Sequence, residues 1–483
     1  MAEPSISKNQ PRRVLSLFDS VCIIVGTIIG AGIFAMPGMV AGNLGSVWWV
    51  MGIWIIGGCV AMIGSLCFAE LTTKYEEPGG DYAYLKLAYH RRVGFAFSWA
   101  AFWIIRPGNI GSMAMIFGIY ADQLFHLPTN YSILIYALLT VLFLSGTNLI
   151  GVRFGKTTQN VLTVAKVLGI LLIVGTAFLI PNQASELRAG GAFAGMIVEQ
   201  GSMSYATTWN SFWLAMVFVM FAYGGWNDIA FVAAEVEKPQ VNLMRSLMLG
   251  TGCVIGIYLL VNFALSTGLG FKEFATAGDQ ATKILVDNKL GHWGSRFLNA
   301  LICASCAGAI NGMIFTSPRI YAATAVDYPR LKWLSGALLQ ADKEDSGQPT
   351  QSSGWWRAMV LQTFVTIALM IECGRRSQTS GFETITICTA IYFWFFLALT
   401  VFGLVVCRFR YDQIKRAGFS TPLFPLLPLL FISACGFMVY RSLTWMHANK
   451  LWGLTISIAV LMLVGVGLSF LLGNQNSAGG EDK

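Results

Sequence analysis

Gly26-Thr27-Ile28-Ile29-Gly30-Ala31-Gly32 and Phe221-Ala222-Tyr223-Gly224-Gly225-Trp226-Asn227 put clustered glycines in the middle of apolar runs long enough to cross a bilayer. Glycine costs roughly 1 kcal/mol in a helix interior relative to alanine. A turn unwound in hydrocarbon leaves backbone N–H and C=O groups unsatisfied at several kcal/mol each. Each cluster therefore marks either a break that something polar must occupy or a place where small residues let helices pack closely. Two clusters at corresponding positions of a repeat favour the break.

The rest of the chain supplies that setting. Charged residues make up 12% of it and hydrophobic ones 55%, against a charged share near 25% in soluble globular domains. Twelve apolar spans are legible, near residues 15–40, 46–71, 94–124, 131–151, 160–180, 211–235, 247–269, 295–323, 356–373, 384–407, 423–440 and 452–472. Each can cross about 30 Å of hydrocarbon as a helix. The expected fold is an all-α polytopic membrane protein. With the N-terminus in the cytoplasm, 21 of the 32 Lys and Arg fall in or beside inner loops and tails and 9 on the other side, leaving Arg106 and Lys166 within spans. That asymmetry sets the orientation, with both termini cytoplasmic in the plasma or inner membrane. It also accounts for the net charge of +8 without a nucleic-acid partner. The polar start, Met1 to Arg13, leads into a full-length span with no small-residue cleavage site, so no cleavable signal is expected.

The breaks lie in spans 1 and 6. Five spans per half, each half led by a discontinuous helix, is the pattern of an inverted repeat, because an odd number of crossings turns the second copy over. The expected organisation is a cytoplasmic tail over 1–14, a first five-helix repeat over 15–180, and a second over 211–407 with a cytoplasmic loop at 327–354. Helices 11 and 12 over 423–472 and a cytoplasmic tail over 473–483 complete it. The ten cysteines all fall in or beside apolar spans and read as packing residues; Cys303 and Cys306 lack the second pair that a metal site needs.

The chemistry of the breaks suits a zwitterion. In span 1, Gly26, Gly30 and Gly32 expose the N–H groups of Ala31, Gly32 and Ile33 at the positive end of a half-helix, where a carboxylate fits. In span 6, unwinding at Gly224-Gly225 frees carbonyls around Phe221, Ala222 and Gly224 for an ammonium. Phe221 is placed to close over a bound molecule as an outer gate, and Asn227 to hold the pocket shut through a hydrogen bond to span 1. Asp228 is an ionisable residue within a span and thus a functional candidate, or it pairs with a neighbouring basic group. Lys166, deep in span 5, is paired with helix-end carbonyls, titrating with a lowered pKa, or snorkelling to the interface. Arg106 precedes the helix-kinking Pro107, which turns Gly108-Asn109 towards a cavity. The arginine either ties span 3 to Asp228 or loop carbonyls, or biases the cavity against cations.

Gly26–Phe34 (GTIIGAGIF), Cys67–Tyr84 (CFAELTTKYEEPGGDYAY), Ile104–Asn109 (IIRPGN) and Phe221–Asn227 (FAYGGWN) together resemble the amino acid–polyamine–organocation superfamily, and within it the L-type amino acid transporters. Ala165-Lys166, Gly308–Gly312 with Phe315–Ser317, and Trp394 extend the resemblance through span 10. It implies the architecture of the bacterial leucine transporter, with an amino acid carboxylate on the span 1 break and its amino group on carbonyls of Ile28, Phe221 and Gly224. It further implies that Lys166 replaces the sodium ion of sodium-coupled relatives and that transport is exchange, with proton symport, including of cationic amino acids, as the alternative. Ala31 stands where relatives often carry serine, and Asp228 where they are usually uncharged. Light subunits of the mammalian transporters bond an ancillary glycoprotein through a cysteine after span 3; Gln123–Tyr131 has none, so no disulfide-linked heavy chain is expected.

Two other classes fit poorly. His90, His126, His292 and His447 all lie in loops or at span ends, which leaves no His pair for metal or haem chemistry within the bilayer, and no filter motif or repeated pore-lining polar pattern marks a channel. The expectation is a carrier that is no enzyme and needs no cofactor or metal. Neutral amino acids are the expected substrates, because Arg106 and Lys166 bring positive charge that only Asp228 opposes.

Overall fold

The computed structural model describes residues 13–75, 77–179, 209–335, 355–376, 380–411, 418–448 and 450–473. Most of both expected tails and the Asp342–Ser346 part of the 327–354 loop lie outside the described residues.

Span 1 begins with a capping box: the Asp19 N–H donates to Ser16 Oγ at 3.2 Å while the Ser16 N–H donates to Asp19 Oδ2 at 2.9 Å. That satisfies donors which an α-helix leaves open at its start. The helix, α1 (Leu17–Ile28), stops at Ile29, whose backbone is extended, and restarts as α2 (Gly32–Gly42) with its axis bent by 47°. Next come α3 (Val47–Lys74), α4 (Asp81–Ala88) and α5 (Arg91–Ala100). Ala101–Ile105 is a π-helical turn, continued by α6 (Arg106–Leu124). A widened turn just ahead of Pro107 is one way for a helix to absorb proline's missing N–H. The chain continues through α7 (Ser132–Ile150) and α8 (Val152–Leu179).

Span 6 opens with α9 (Trp209–Ala222). It turns at Tyr223–Gly225, with Gly225 at φ +112°, and goes on as a 3₁₀ helix over Trp226–Glu235. Beyond it lie α10 (Pro239–Leu269), α11 (Phe271–Thr276), α12 (Ala281–Leu290), α13 (His292–Thr316) and α14 (Pro318–Asp327), then α15 (Trp355–Arg376), α16 (Ser380–Tyr411), α17 (Leu426–Ala448) and α18 (Trp452–Gly473). Both expected discontinuities are therefore present; in span 1 the break falls at Ile29–Ala31 around Gly30, while Gly26, expected to belong to it, stays helical within α1.

Among the described residues, eight helices are long and apolar enough to cross a membrane, or nine when α1 and α2 are taken as one bent span. The helical class and membrane character agree with the sequence reading. The interrupted α5–α6 segment carries Arg106 at mid-length, and α15 carries Arg357, Glu372, Arg375 and Arg376 near its ends; neither makes a continuous uncharged stretch.

The apolar core joins α1, α2, α3, α9, the 3₁₀ segment and α10 with parts of α16 and α17; Ile24, Trp54, Val219, Ile229 and Leu247 are fully enclosed. Within it α3 lies along α10, with Ser65 and Thr251 hydroxyls 2.8 Å apart. At the start of the chain, Val14 and Leu15 N–H groups reach Glu235 O at 2.8 and 3.0 Å, and the Glu237 N–H reaches Leu15 O at 2.9 Å, forming an isolated parallel bridge between Leu15 and Val236.

Candidate functional site

The two breaks abut. Thr27 Oγ1 donates to Gly225 O at 3.1 Å, and a Cβ added to Gly225 would lie 3.2 Å from Thr27 C and O and 3.4 Å from Ile28 N. Only glycine accepts both the left-handed backbone and this approach. On the other side, Gly32 faces Ala222, with 3.7 Å between an added Cβ and Ala222 Cα. Gly30 faces the Met113 side chain of α6, and beyond it Ala309 of α13.

The span 1 carbonyls released by the break are claimed by side chains from three other spans. Lys166 is fully buried, and its ammonium donates to Gly26 O at 2.9 Å, Ile29 O at 2.7 Å and Ser305 O at 3.0 Å. Of the three readings the sequence allowed, pairing with helix-end carbonyls is the one found. Ser305 Oγ lies 3.0 Å from both Ile29 O and Gly30 O. Tyr258 Oη is 3.3 Å from Ile28 O and 2.9 Å from Ala222 O, so one phenol spans the carbonyls of both breaks.

The donors are not claimed. Phe34 is the first residue of α2 whose N–H finds an acceptor, Ala31 O at 3.1 Å. Among the described residues the N–H groups of Ala31, Gly32 and Ile33 ahead of it have none. Ala31 is buried and Gly32 partly open. This is a half-helix N-terminus with three free donors at the positive end of its dipole. In span 6, Phe221 and Gly224 are half-buried; the Phe221 carbonyl takes the Gly224 N–H at 3.2 Å and keeps a second lone pair.

Arg106 and Asp228 form a bidentate pair, Nη1 to Oδ2 at 2.8 Å and Nη2 to Oδ1 at 2.9 Å, with Thr316 Oγ1 3.3 Å from Oδ2. The guanidinium also lies over the Phe231 ring, 4.6 Å from its centroid. The tie between spans 3 and 6 is thus the role in which the structure places Arg106. Asn109 is half-buried on α6. Trp394 is packed into the main core, edge-on to Phe393.

Asn227 differs from the expectation. Its Oδ1 has no partner, and it lines a cavity with Asp81 and Arg106; the bond from span 6 to span 1 is made by Thr27 instead. Its place early in the 3₁₀ segment turns the side chain towards α4 and α6. Thr27, Tyr258 and Ser305 were missed by the sequence reading. Their signal was hydroxyls within apolar spans, each of which needs an acceptor once buried.

A family model described as an amino acid permease matches residues 15–470. The chain is similar to b(0,+)-type amino acid transporter 1 of Mus musculus, 29% identical over 433 residues, which is 89% of this chain and 82% of that protein. It is similar to the serine/threonine exchanger SteT of Bacillus subtilis (strain 168), 27% identical over 435 residues, 90% of this chain and 92% of that protein. Large neutral amino acids transporter small subunit 2 of Homo sapiens is 29% identical over 466 residues, 95% of this chain and 80% of that protein. These relatives are transporters, not enzymes.

Proposed function

This chain belongs to the amino acid permease family, an integral membrane carrier of amino acids, and from that premise we propose that it is a sodium-independent exchanger of neutral amino acids working by alternating access. The observation that carries the proposal is the Lys166 ammonium on Gly26 O, Ile29 O and Ser305 O. A protein cation already fills the place among helix-break carbonyls where a co-transported metal cation would bind. The free N–H groups of Ala31, Gly32 and Ile33 supply a carboxylate seat, and the carbonyls of Phe221, Ala222 and Gly224 an ammonium seat, whereas Ile28 O is already taken by the Gly30 N–H and Tyr258 Oη.

Neutral substrates are favoured because Asp228, the carboxylate that would receive a cationic side chain, is held by Arg106 and Thr316. Phe221, half-buried ahead of the turn, serves as the outer gate. The framework is twelve helices, with residues 15–180 and 211–407 as inverted five-helix repeats and 423–472 outside them. It sits in the plasma or inner membrane with both termini cytoplasmic, and no disulfide-linked heavy chain is required. That the relative SteT is a serine/threonine exchanger supports exchange over symport.

The test is uptake into liposomes holding the purified protein, with sodium, proton and counter-substrate gradients imposed one at a time. Labelled neutral amino acid should accumulate only against internal unlabelled substrate. A sodium requirement would refute the role given to Lys166, and accumulation driven by a proton gradient alone would replace exchange with symport.

A further inference from the structure

Between α4, α6, the 3₁₀ segment and α16 lies a small cavity with room for about one water molecule, with Asp81, Arg106 and Asn227 on its polar side and Phe97, Phe231 and Leu397 among its apolar walls. Asp81 is 2% exposed, and neither carboxyl oxygen has a hydrogen-bond partner. Three more buried polar atoms here are unpartnered: Asn227 Oδ1, Arg106 Nε and Thr400 Oγ1. Buried polar groups are nearly always paired, and a cluster of orphans around one carboxyl is a site with something still to bind. An ionised carboxylate in this position leaves buried charge unpaired, at several kcal/mol. A protonated one removes that charge, and Asn227 Oδ1 is an open acceptor lining the same cavity.

We propose that Asp81 is a proton-binding site whose occupancy sets how firmly Arg106 holds Asp228, so that the tie between spans 3 and 6, and with it the rate of exchange, follows cytoplasmic pH. This rests on the transport reading above and on the orientation given by the charge distribution. With Asp81 protonated, one guanidinium faces one carboxylate and the Arg106–Asp228 pair is at its strongest. When Asp81 releases its proton to water, two carboxylates compete for one guanidinium whose free Nε–H is available to the second. The tie weakens and the inner side opens more readily. The site is separate from the breaks and from Lys166.

The charged and titratable groups around Asp81 are few. Arg106 faces it from α6, Asp228 from the 3₁₀ segment and the unpartnered Tyr84 hydroxyl from α4 itself. From α14, Tyr321 acts on Arg106, while Asp327 is engaged by Tyr82, next to Asp81, and by Lys86 one turn on along α4. From α5, Arg92 lies over the Phe470 ring; from α16, Arg408 is held by Glu70. Burial pushes the Asp81 carboxyl up to about 6; Arg106 opposes the shift and Asp228 adds to it, while Thr400 and Asn227 temper it without reaching hydrogen-bonding geometry.

The experiment is counterflow by the full-length protein in liposomes at equal internal and external pH, stepped across pH 6. The wild-type maximal rate should fall several-fold on the acid side. Asp81→Asn, which mimics the protonated state, should stay at the slow acidic rate throughout, and Asp228→Asn, which removes the pair that Asp81 acts on, should abolish the pH step in rate. Difference infrared spectroscopy on a pH step reads the same site without transport: the carboxylic acid carbonyl band that appears in the wild type should be missing in Asp81→Asn. Asp81→Glu, which keeps the carboxyl, should shift the midpoint. An Asp81→Asn profile that follows the wild type, a Glu variant with an unmoved midpoint, or an infrared band that survives Asp81→Asn would overturn the proposal. If the wild type exchanges no amino acid at any pH, the transport reading fails, and the infrared band alone decides whether Asp81 binds the proton.

Discussion

Replacing Lys166 by alanine removes three contacts, to Gly26 O, Ile29 O and Ser305 O. The three carbonyls do not suffer equally. Ile29 O keeps Ser305 Oγ at 3.0 Å, and Ser305 O lies within α13. Gly26 O has no such reserve, because the Gly30 N–H that would close its helical turn donates to Ile28 O at 2.9 Å instead. One orphaned buried carbonyl costs about 1–3 kcal/mol, and hydrogen bonds from a charged donor are worth about 1.5–3 kcal/mol each. Against these losses stands relief from burying an ammonium, itself several kcal/mol. The fold should therefore survive, while the break loses the group that fixes its shape. A loss of about 1.4–2.8 kcal/mol in the transport-competent arrangement is a ten- to hundredfold lower rate. Counterflow in liposomes, normalised to inserted protein, reads it directly. Alanine also leaves a space bordered by the carbonyls of Gly26, Ile29 and Ser305 and the Ser305 hydroxyl, the hard oxygen donors a sodium ion prefers. Added sodium should then recover part of the rate in Lys166→Ala and none in the wild type. Normal transport by Lys166→Ala would refute the reasoning outright.

Gly308→Ala should disturb the same ammonium from the opposite side, since its Cβ would fall 2.7 Å from Lys166 Nζ; turnover should drop while membrane expression holds. Gly225→Ala combines a left-handed backbone, at roughly 1–2 kcal/mol, with 3.2 Å approaches to the Thr27 backbone, and substrate binding by scintillation proximity should fall at least tenfold. Arg106→Met leaves Asp228 buried and unpaired, at about 3–5 kcal/mol, so thermal stability in detergent should fall sharply; adding Asp228→Leu should restore most of it, and a double variant no more stable than Arg106→Met would contradict the pairing. Phe221→Ala should raise the exchange leak without abolishing binding, measured as substrate efflux into substrate-free buffer.

The glycine breaks were legible because their requirement is local: no other residue takes φ +112° at Gly225 while touching the Thr27 backbone. Lys166 and the Arg106–Asp228 pair were legible as questions, since charge within an apolar span demands a partner. Which partner it finds is decided by contacts 137 to 140 residues away for Lys166 and 122 residues away for Arg106. Tyr258 and Ser305 were illegible for the same reason. Each is an ordinary residue of a packed helix until the fold sets it 230 or 276 positions from its acceptor. Asn227 and Thr27 exchanged roles because a 3₁₀ turn points side chains differently from the α-helix that the apolar run implied. Asp81 lay inside a quoted motif, GGDYAY, yet its isolation becomes visible only when three other elements close around it.

The segments α1 and Trp226–Glu235 are clasped at both ends, by backbone bonds joining Leu15 to Glu235 and Glu237 and by Thr27 Oγ1 on Gly225 O. The twelve residues of α1 between the clasps span about 18 Å at 1.5 Å per residue. Two rods fastened at both ends cannot slide past one another and can only rock as a single bar. The freedom that remains sits at Ile29–Ala31 and Tyr223–Gly225, side by side, so in the proposed carrier α2 and α9 would swing about a shared pivot at the proposed substrate seat. A carrier so jointed would turn around its cargo rather than carry the cargo through itself.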